Sequence, residues 1–115
     1  MADGDQADGQ AINSEGVDKN SIGGEQMTKY TDKKFASIEA LTNMIKTENK
    51  RQIYKWGTQT HTLFEWLAFT TEELGSLSKA ISEFEYRHGD VNRVVAEAIQ
   101  VATLSLKIAE MVRGE

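Results

Sequence analysis

From position 31 onward, apolar residues recur every three or four positions, as on one face of an α-helix. In the first stretch, about 31–55, the repeat consists of Phe35, Ile38, Leu41, Met44, Ile45 and Ile53. In the second, about 63–87, it consists of Leu63, Leu67, Leu74, Leu77, Ile81 and Phe84. A third stretch, about 91–113, is apolar around more than half of its circumference. Because the chain has no proline to interrupt such helices, the pattern predicts an all-α fold, an antiparallel bundle of three main helices.

Residues at the ends of these stretches favour the same boundaries. Thr31 or Asp32 is the expected N-cap of the first helix, and Gly57 follows its expected end. Asp90 is the expected N-cap of the third helix. The short polar side chains of Thr and Asp accept hydrogen bonds from the first free N–H groups of a helix, and glycine readily ends one.

The wide apolar surface of the third stretch also predicts that the protein forms an oligomer. A surface helix usually has an apolar stripe of about 100° or somewhat more, and this one is wider, so it should pack on more than one side. Three helices in residues 27–115 offer too little partner surface for that. We therefore expect a homo-oligomer, either a dimer or a tetramer, with the third helix at or near the subunit interface.

Charge divides the chain into two parts. Residues 1–26 hold six acidic side chains against one lysine, which accounts for the whole net charge of −5, and they contain no aromatic residue. We expect a disordered acidic, Gly-rich tail there, either native or an addition ahead of a start at Met27, followed by one helical domain over 27–115. The domain is neutral, so it lacks the basic surface that binding to a nucleic-acid backbone requires, and we expect no nucleic-acid partner.

Composition excludes several other classes. The chain has no cysteine, which rules out a disulfide scaffold, a thiolate metal site and a cysteine nucleophile. No stretch approaches the roughly 18 consecutive apolar residues of a membrane-spanning helix, and the acidic N-terminus is unlike a signal peptide. We therefore expect a cytoplasmic protein without a membrane partner.

Acidic residues on the second and third helices are the candidates for chemistry. Glu73 and Ser76 lie three positions apart, as do Glu97 and Gln100, so each pair shares one helix face. Two antiparallel helices joined by a short turn bring those faces together. Converging carboxylates repel each other unless a hard cation such as Mg²⁺ or Mn²⁺ neutralises them. The spacing alone leaves open the alternative that these residues form an ordinary solvated face.

Three short motifs occur in order along the chain: Trp56-Gly57-Thr58-Gln59-Thr60-His61, then Glu72-Glu73-Leu74-Gly75, then Glu97-Ala98-Ile99-Gln100-Val101-Ala102. Together they resemble the MazG-like family of all-α nucleoside triphosphate pyrophosphohydrolases, especially its short phage and prophage forms. The resemblance covers about residues 50–112. It implies a bundle of the four-helix type completed by oligomerisation, and a Mg²⁺-dependent hydrolysis of nucleoside triphosphate to monophosphate and pyrophosphate, with Mn²⁺ as the alternative ion.

The resemblance also implies a set of metal ligands, at Glu72, Glu73, Ser76, Glu97 and Gln100. The three glutamates are the implied catalytic carboxylates. Ser76 stands where the family has Glu, and Gln100 stands where the wider family has Asp, so the site has two carboxylates fewer than the family pattern. This departure favours either a weakened enzyme or a catalytically inactive MazG-like protein that binds nucleotides or acts as a helical scaffold.

Other residues near these motifs are candidates for substrate binding. Lys79, one turn after Ser76, either contacts the triphosphate or is an ordinary surface lysine. Trp56 and His61 flank the loop before the second helix and are candidates for a base pocket. Their alternatives are a core anchor and a polar loop residue. Trp66 and Phe69, beside the acidic turn, are expected to pack in the core, with nucleotide contact as the alternative.

Overall fold

The computed structural model of the chain describes residues 28–114 and contains three α-helices. Helix α1 is Ile38–Trp56, α2 is Leu63–Arg87 and α3 is Val91–Arg113. No strand occurs in the described part of the chain, which confirms the all-α prediction. None of these helices has the length and apolar content needed to cross a bilayer. The expected tail, 1–26, lies outside the described residues.

The first helix begins later than its apolar repeat predicts. Helix α1 starts at Ile38, and Ser37 occupies the N-cap position without a side-chain cap hydrogen bond. The expectation of an N-cap at Thr31 or Asp32 is therefore wrong. The end of the helix agrees with expectation, since Gly57 follows Trp56 in a conformation with φ 78°.

Packing and the helix dipole both explain the later start. Phe35, the residue that extended the apolar repeat toward the N-terminus, is 67% exposed, so burial contributes little to a helical turn there. A start near position 31 would also place Lys33 and Lys34 in the first turn, where a positive charge opposes the helix dipole. The observed start places Glu39 in that turn instead, where a carboxylate is favourable.

Helices α2 and α3 each begin at a side-chain cap. The Glu65 N–H donates to Thr62 Oγ1 at 3.1 Å, and the Thr62 N–H donates to Glu65 Oε1 at 2.9 Å, which completes a capping box. At α3, the Asn92 N–H donates to Asp90 Oδ1 at 2.9 Å. The predicted N-cap at Asp90 is confirmed.

A tight turn between α2 and α3 sets their relative direction. His88 ends α2 in the left-handed region at φ 59°, and the Gly89 N–H donates to the Glu83 carbonyl at 2.8 Å. A Cβ atom at Gly89 would lie 2.9 Å from the Glu83 carbonyl carbon, so the turn requires glycine. Arg93 faces Glu83 near the turn, and Lys107 faces Trp66 far from it, as expected of antiparallel helices.

Helix α3 is the central element of the fold. It packs against both α1 and α2, whereas these two do not pack directly against each other in the described part of the chain. The buried residues lie on α2 and α3: Ala80, Ile99, Thr103 and Leu104. Helix α3 thus forms the floor of a cleft whose walls are α1 and α2.

A single chain leaves much of the predicted apolar face of α2 uncovered. Leu67, Leu74 and Ile81, spaced seven residues apart, are 49%, 52% and 43% exposed. The remaining face of α3 also exposes apolar residues, among them Val91 and Val112. These side chains belong to the predicted helical stripes, but among the helices of residues 28–114 only α3 packs against α2.

Candidate functional site

The cleft between α1 and α2 contains a cavity of about 800 Å³. This volume lies within the range of small-molecule binding sites. Acidic, aromatic and amide side chains line it, and they include Glu72, Glu73, His61, Trp66, Phe69 and Gln100. Along α2 the rings of Trp66 and Phe69 come first, and the carboxylates follow within about one turn. The cavity therefore presents an aromatic region beside an acidic one.

Glu73 is at the centre of the acidic region. Burial and the neighbouring carboxylates of Glu97, Glu72 and Glu48 raise the pKa of Glu73 above its ordinary value. Glu97 Oε1 is buried and has no hydrogen-bond partner within the described residues. The Arg93 guanidinium lies 3.8 Å from the other Glu97 oxygen. Repulsion among these carboxylates is relieved when a proton or a cation joins them.

The oxygen donors of this region suit a hard cation. As they are placed, however, no three His, Asp or Glu side chains within residues 28–114 form a group that could hold an ion by themselves. Mg²⁺ commonly keeps several waters and binds one or two carboxylates together with substrate phosphates. Glu72 and Glu73 on the cavity wall, with Gln100 on its floor, match such a partial ligand set.

The structure brings most of the predicted site residues to this cavity, but not all of them. Ser76 is partly buried and Lys79 is exposed, and neither lines the cavity. Both lie further along α2 toward the turn, beyond the level of Glu73. Glu97 adjoins Glu73 without lining the cavity. The predicted residues that do line it are Trp56, His61, Glu72, Glu73 and Gln100.

Three rings form a compact aromatic group in the cavity wall. The His61 ring lies 5.0 Å from the Trp66 ring and 4.9 Å from the Phe69 ring, in edge-to-face geometry. Trp66 and Phe69 are 5.8 Å apart in the same geometry. Such contacts stabilise aromatic pairs beyond simple burial. The structure places Trp66 and Phe69 in the wall of the cavity, whereas core packing was the favoured of the two expectations for them.

Polar contacts hold the loop residue His61 against this group. Its Nε2 lies 2.9 Å from Gln59 Oε1, and its Nδ1 lies 3.5 Å from Glu65 Oε1. The hydrogen bond from the Thr62 N–H, together with His61, holds the pKa of Glu65 below its ordinary value. The capping box of α2 thus also positions the loop side of the cavity.

A polar network that the sequence did not reveal joins α1 to α3. Arg51 donates to both carboxylate oxygens of Glu48, at 2.9 and 2.8 Å, and Gln52 Nε2 donates to Glu48 at 2.8 Å. Lys107 Nζ donates to Gln52 Oε1 at 2.8 Å and lies 5.6 Å from the centre of the Trp66 ring. Arg51, Gln52 and Lys107 all line the cavity.

One sequence signal could have identified part of this network. Lys107 is the only charged residue of α3 between Glu97 and Glu110, and a lone lysine in an apolar helix usually has a specific partner or role. No comparable signal marks Asn49, whose side-chain oxygen is buried without a hydrogen-bond partner in the described part of the chain. Asn49 also lines the cavity.

Comparison of the chain with protein-family models, with curated proteins and with solved structures finds no match. The site is therefore defined by its own geometry. That geometry consists of an acidic region on α2 and α3, an aromatic group on the adjoining turns of α2, and a half-buried lysine between α3 and α1.

Proposed function

We propose that this protein is a Mg²⁺-dependent nucleoside triphosphate pyrophosphohydrolase. It hydrolyses the bond between the α- and β-phosphates of a (d)NTP, so that one water and one (d)NTP give one (d)NMP and one pyrophosphate. The observation that supports this most is a cavity in which carboxylates adjoin an aromatic group. A nucleotide has the same two parts, a polyanion that requires a cation and a flat ring that stacks on aromatic side chains.

Glu72, Glu73 and Glu97 are the residues we propose to hold Mg²⁺ or Mn²⁺, with Gln100 as a neutral oxygen donor. When bound, the ion neutralises phosphate oxygens and lowers the pKa of the attacking water. The raised pKa of Glu73 and the unpartnered oxygen of Glu97 support this role. Burial and the neighbouring carboxylates raise the pKa of Glu73, and Arg93 lies near only one of the two Glu97 oxygens. A cation bound between these carboxylates would relieve both features.

The site as proposed has weak affinity for its ion. Ser76 supplies no carboxylate. Glu48 contributes negative charge from α1, but its oxygens already accept hydrogen bonds from Arg51 and Gln52. Glu48 therefore influences Glu73 through its charge without replacing the ligand missing at position 76.

The aromatic group is proposed to bind the base. His61, Trp66 and Phe69 are already in contact with one another, so no rearrangement is needed to form a stacking surface. Trp56, which is 53% exposed, lies at the rim of the same cavity. Lys79 is exposed and outside the cavity, so we do not assign it to the triphosphate.

Uncovered apolar residues support a homo-oligomer, a dimer or a tetramer, and we propose that it is a cytoplasmic protein. Leu67, Leu74 and Ile81 form one row on α2, and a second copy would bury them. Light scattering coupled to gel filtration tests this proposal. We expect at least a dimer, and we expect Leu74→Glu to shift the protein toward monomer. A wild-type protein that stays monomeric at micromolar and higher concentrations would contradict it.

Release of pyrophosphate by purified protein tests the proposed activity. A panel of (d)NTPs is incubated with Mg²⁺ or Mn²⁺, and the same panel is incubated with EDTA. We expect metal-dependent release from at least one nucleotide, and its loss in Glu73→Gln and Glu97→Gln. Glu39→Gln, at an exposed α1 carboxylate outside the cavity, is the matched control. No release from any nucleotide, while a related enzyme is active in the same assay, would exclude catalysis.

The absence of a three-residue ligand group in the described part of the chain favours a second candidate. In that alternative, the protein binds nucleotides or acts as a helical scaffold without catalysis, because position 76 lacks its carboxylate. Ser76→Glu separates the two. Activity that appears only in this variant favours the second candidate, and activity already present in the wild-type protein excludes it.

A further inference from the structure

Lys107 is a cation held inside the cavity by a neutral partner. Its Nζ donates to Gln52 Oε1 at 2.8 Å and lies 5.6 Å from the Trp66 ring centre. A lysine ammonium has three N–H donors, so the bond to Gln52 leaves two of them available toward the cavity that Lys107 lines.

The charge of Lys107 is not matched by a carboxylate. No Asp or Glu oxygen of the described residues lies within 4.0 Å of Nζ. Glu48 acts on Lys107 from a longer distance, and its oxygens are held by Arg51 and Gln52. Burial lowers the pKa of Lys107, because a charged group loses favourable contact with water there. An anion bound in the cavity would compensate for this loss.

The surroundings of Lys107 define the anion. Its neighbour Trp66 belongs to the aromatic group with His61 and Phe69, so a ligand that reaches Lys107 can also place a flat ring against those side chains. Glu72 and Glu73 lie about two turns along α2 from Trp66 and repel additional phosphates when no cation is present. These features favour a ring that carries a single phosphate over a longer phosphate chain.

We propose that Lys107 binds the phosphate of a nucleoside monophosphate whose base contacts the His61, Trp66 and Phe69 rings, and that this binding needs no metal ion. The inference rests on the proposed function for its choice of ligand, since the monophosphate is the product of that reaction. It assigns a phosphate contact to α3 that no sequence motif indicates. It also gives two groups of residues different roles. Lys107 retains the nucleotide, and the carboxylates take part in the metal-dependent step.

Calorimetric binding in buffer with EDTA tests the proposal without turnover. The probes are the (d)NMPs, their nucleosides and inorganic phosphate. We expect the wild-type protein to bind at least one (d)NMP more tightly than the matched nucleoside. Lys107→Met keeps the apolar stem and removes the charge, and it should weaken (d)NMP binding by about tenfold or more while leaving nucleoside binding unchanged. Lys79→Met, the matched control on α2, should behave as wild type.

Three results would overturn the proposal. The first is equal binding of (d)NMP and nucleoside, or none of either, by the wild-type protein. The second is unchanged (d)NMP binding in Lys107→Met. The third is an equal loss of (d)NMP and nucleoside in that variant, which would mean that Lys107 only supports Trp66. If Lys107→Met does not fold, Lys107→Gln, which also removes the charge, takes its place in the same measurements and is judged by the same three results.

Failure of the Lys107 proposal and failure of the proposed enzyme activity give different experimental results. Tight (d)NMP binding that depends on Lys107, without any pyrophosphate release, supports the phosphate contact and contradicts catalysis. Metal-dependent pyrophosphate release with no effect of Lys107→Met on (d)NMP binding supports catalysis and contradicts the phosphate contact.

Discussion

The two regions of the cavity differ in how completely their side chains are satisfied within the chain. The aromatic group, His61, Trp66 and Phe69, is held by mutual ring contacts and by the polar contacts of His61. The acidic region has like charges close together, a raised pKa at Glu73 and a buried Glu97 oxygen without a partner in the described part of the chain. The side chains of the aromatic group have partners within the group, whereas repulsion among the carboxylates is relieved only when a proton or a cation joins them.

Under the proposed function, this difference separates two steps, the binding of the base and the metal-dependent turnover. A preformed aromatic surface binds a base with little reorganisation. In the proposed reaction the carboxylates act through a bound cation. We therefore expect base binding to be independent of metal, and turnover to depend on it. Glu73→Gln and Trp66→Leu each alter one region and should leave the other unchanged.

The largest effect is expected from Glu73→Gln. The variant removes the carboxylate at the centre of the acidic region, so metal-dependent pyrophosphate release should fall by about 100-fold or more. Nucleoside binding in EDTA should not change, because the substitution leaves the aromatic group intact. Pyrophosphate release is measured with the most active nucleotide, and Glu39→Gln serves as control. A loss of nucleoside binding equal to the loss of activity would mean that the two regions are not separate.

Trp66→Leu is the reciprocal change. It removes the largest ring of the group while keeping an apolar side chain, and nucleoside binding should weaken by about tenfold, in line with the energy of a base stacking on an aromatic ring. The metal concentration that gives half-maximal activity should stay the same. Trp56→Leu, at the exposed rim, should have a smaller effect on binding. If the two tryptophan variants behave alike, the base does not stack on the aromatic group.

Thr62→Ala tests how the loop beside the aromatic group is held. The variant removes one half of the capping box, and it should lower the free energy of unfolding by about 1 kcal/mol. Urea denaturation measures this change. Thr60→Ala, two residues earlier and without such a cap, should leave the free energy of unfolding almost unchanged. An equal loss of stability in both variants would show that the cap contributes nothing specific.

The smallest effect is expected from Glu48→Gln, in the polar network that joins α1 to α3. Burial works against the charge of Glu48, but hydrogen bonds from Arg51 and Gln52 outweigh it and lower the pKa of Glu48 below 4.5. A lowered pKa means that Glu48 stabilises the fold above pH 4.5 and that this contribution is lost as the pH falls through its folded-state pKa. Because the ion pair is partly exposed, Glu48→Gln should cost about 0.5 kcal/mol at about pH 7.

Urea denaturation of the wild type and Glu48→Gln across a pH series checks the sign. The difference between their unfolding free energies should be full at about pH 7 and should shrink as the pH is lowered below 4.5. A difference that grows on acidification would contradict the account of this network. Asp32→Asn, at an exposed carboxylate ahead of α1, is the control.

Local signals predicted the α2–α3 hairpin well. The apolar repeats and Asp90 indicated the bounds of both helices, because these features act over a few neighbouring residues. The start of α1 was wrong because Phe35 continues the repeat but is mostly exposed. Periodicity indicates which residues can share a face, and it does not show whether another element is present to cover that face.

The candidate site was predictable where motifs mark it. Trp56, His61, Glu72, Glu73 and Gln100 were grouped from short motifs, and the structure places all five around one cavity. Lys107 and Glu48 were missed, because their roles depend on how α1 docks on α3. Such long-range contacts have no signature in the spacing of residues along either helix.

Product analysis tests the proposed activity most directly. Purified protein is incubated with Mg²⁺ and its preferred (d)NTP, and the products are separated by anion-exchange chromatography. We predict one (d)NMP and one pyrophosphate for each (d)NTP consumed, no reaction in EDTA, and no reaction with Glu97→Gln. Formation of nucleoside diphosphate and phosphate, or a reaction that persists in Glu97→Gln, would contradict the proposal.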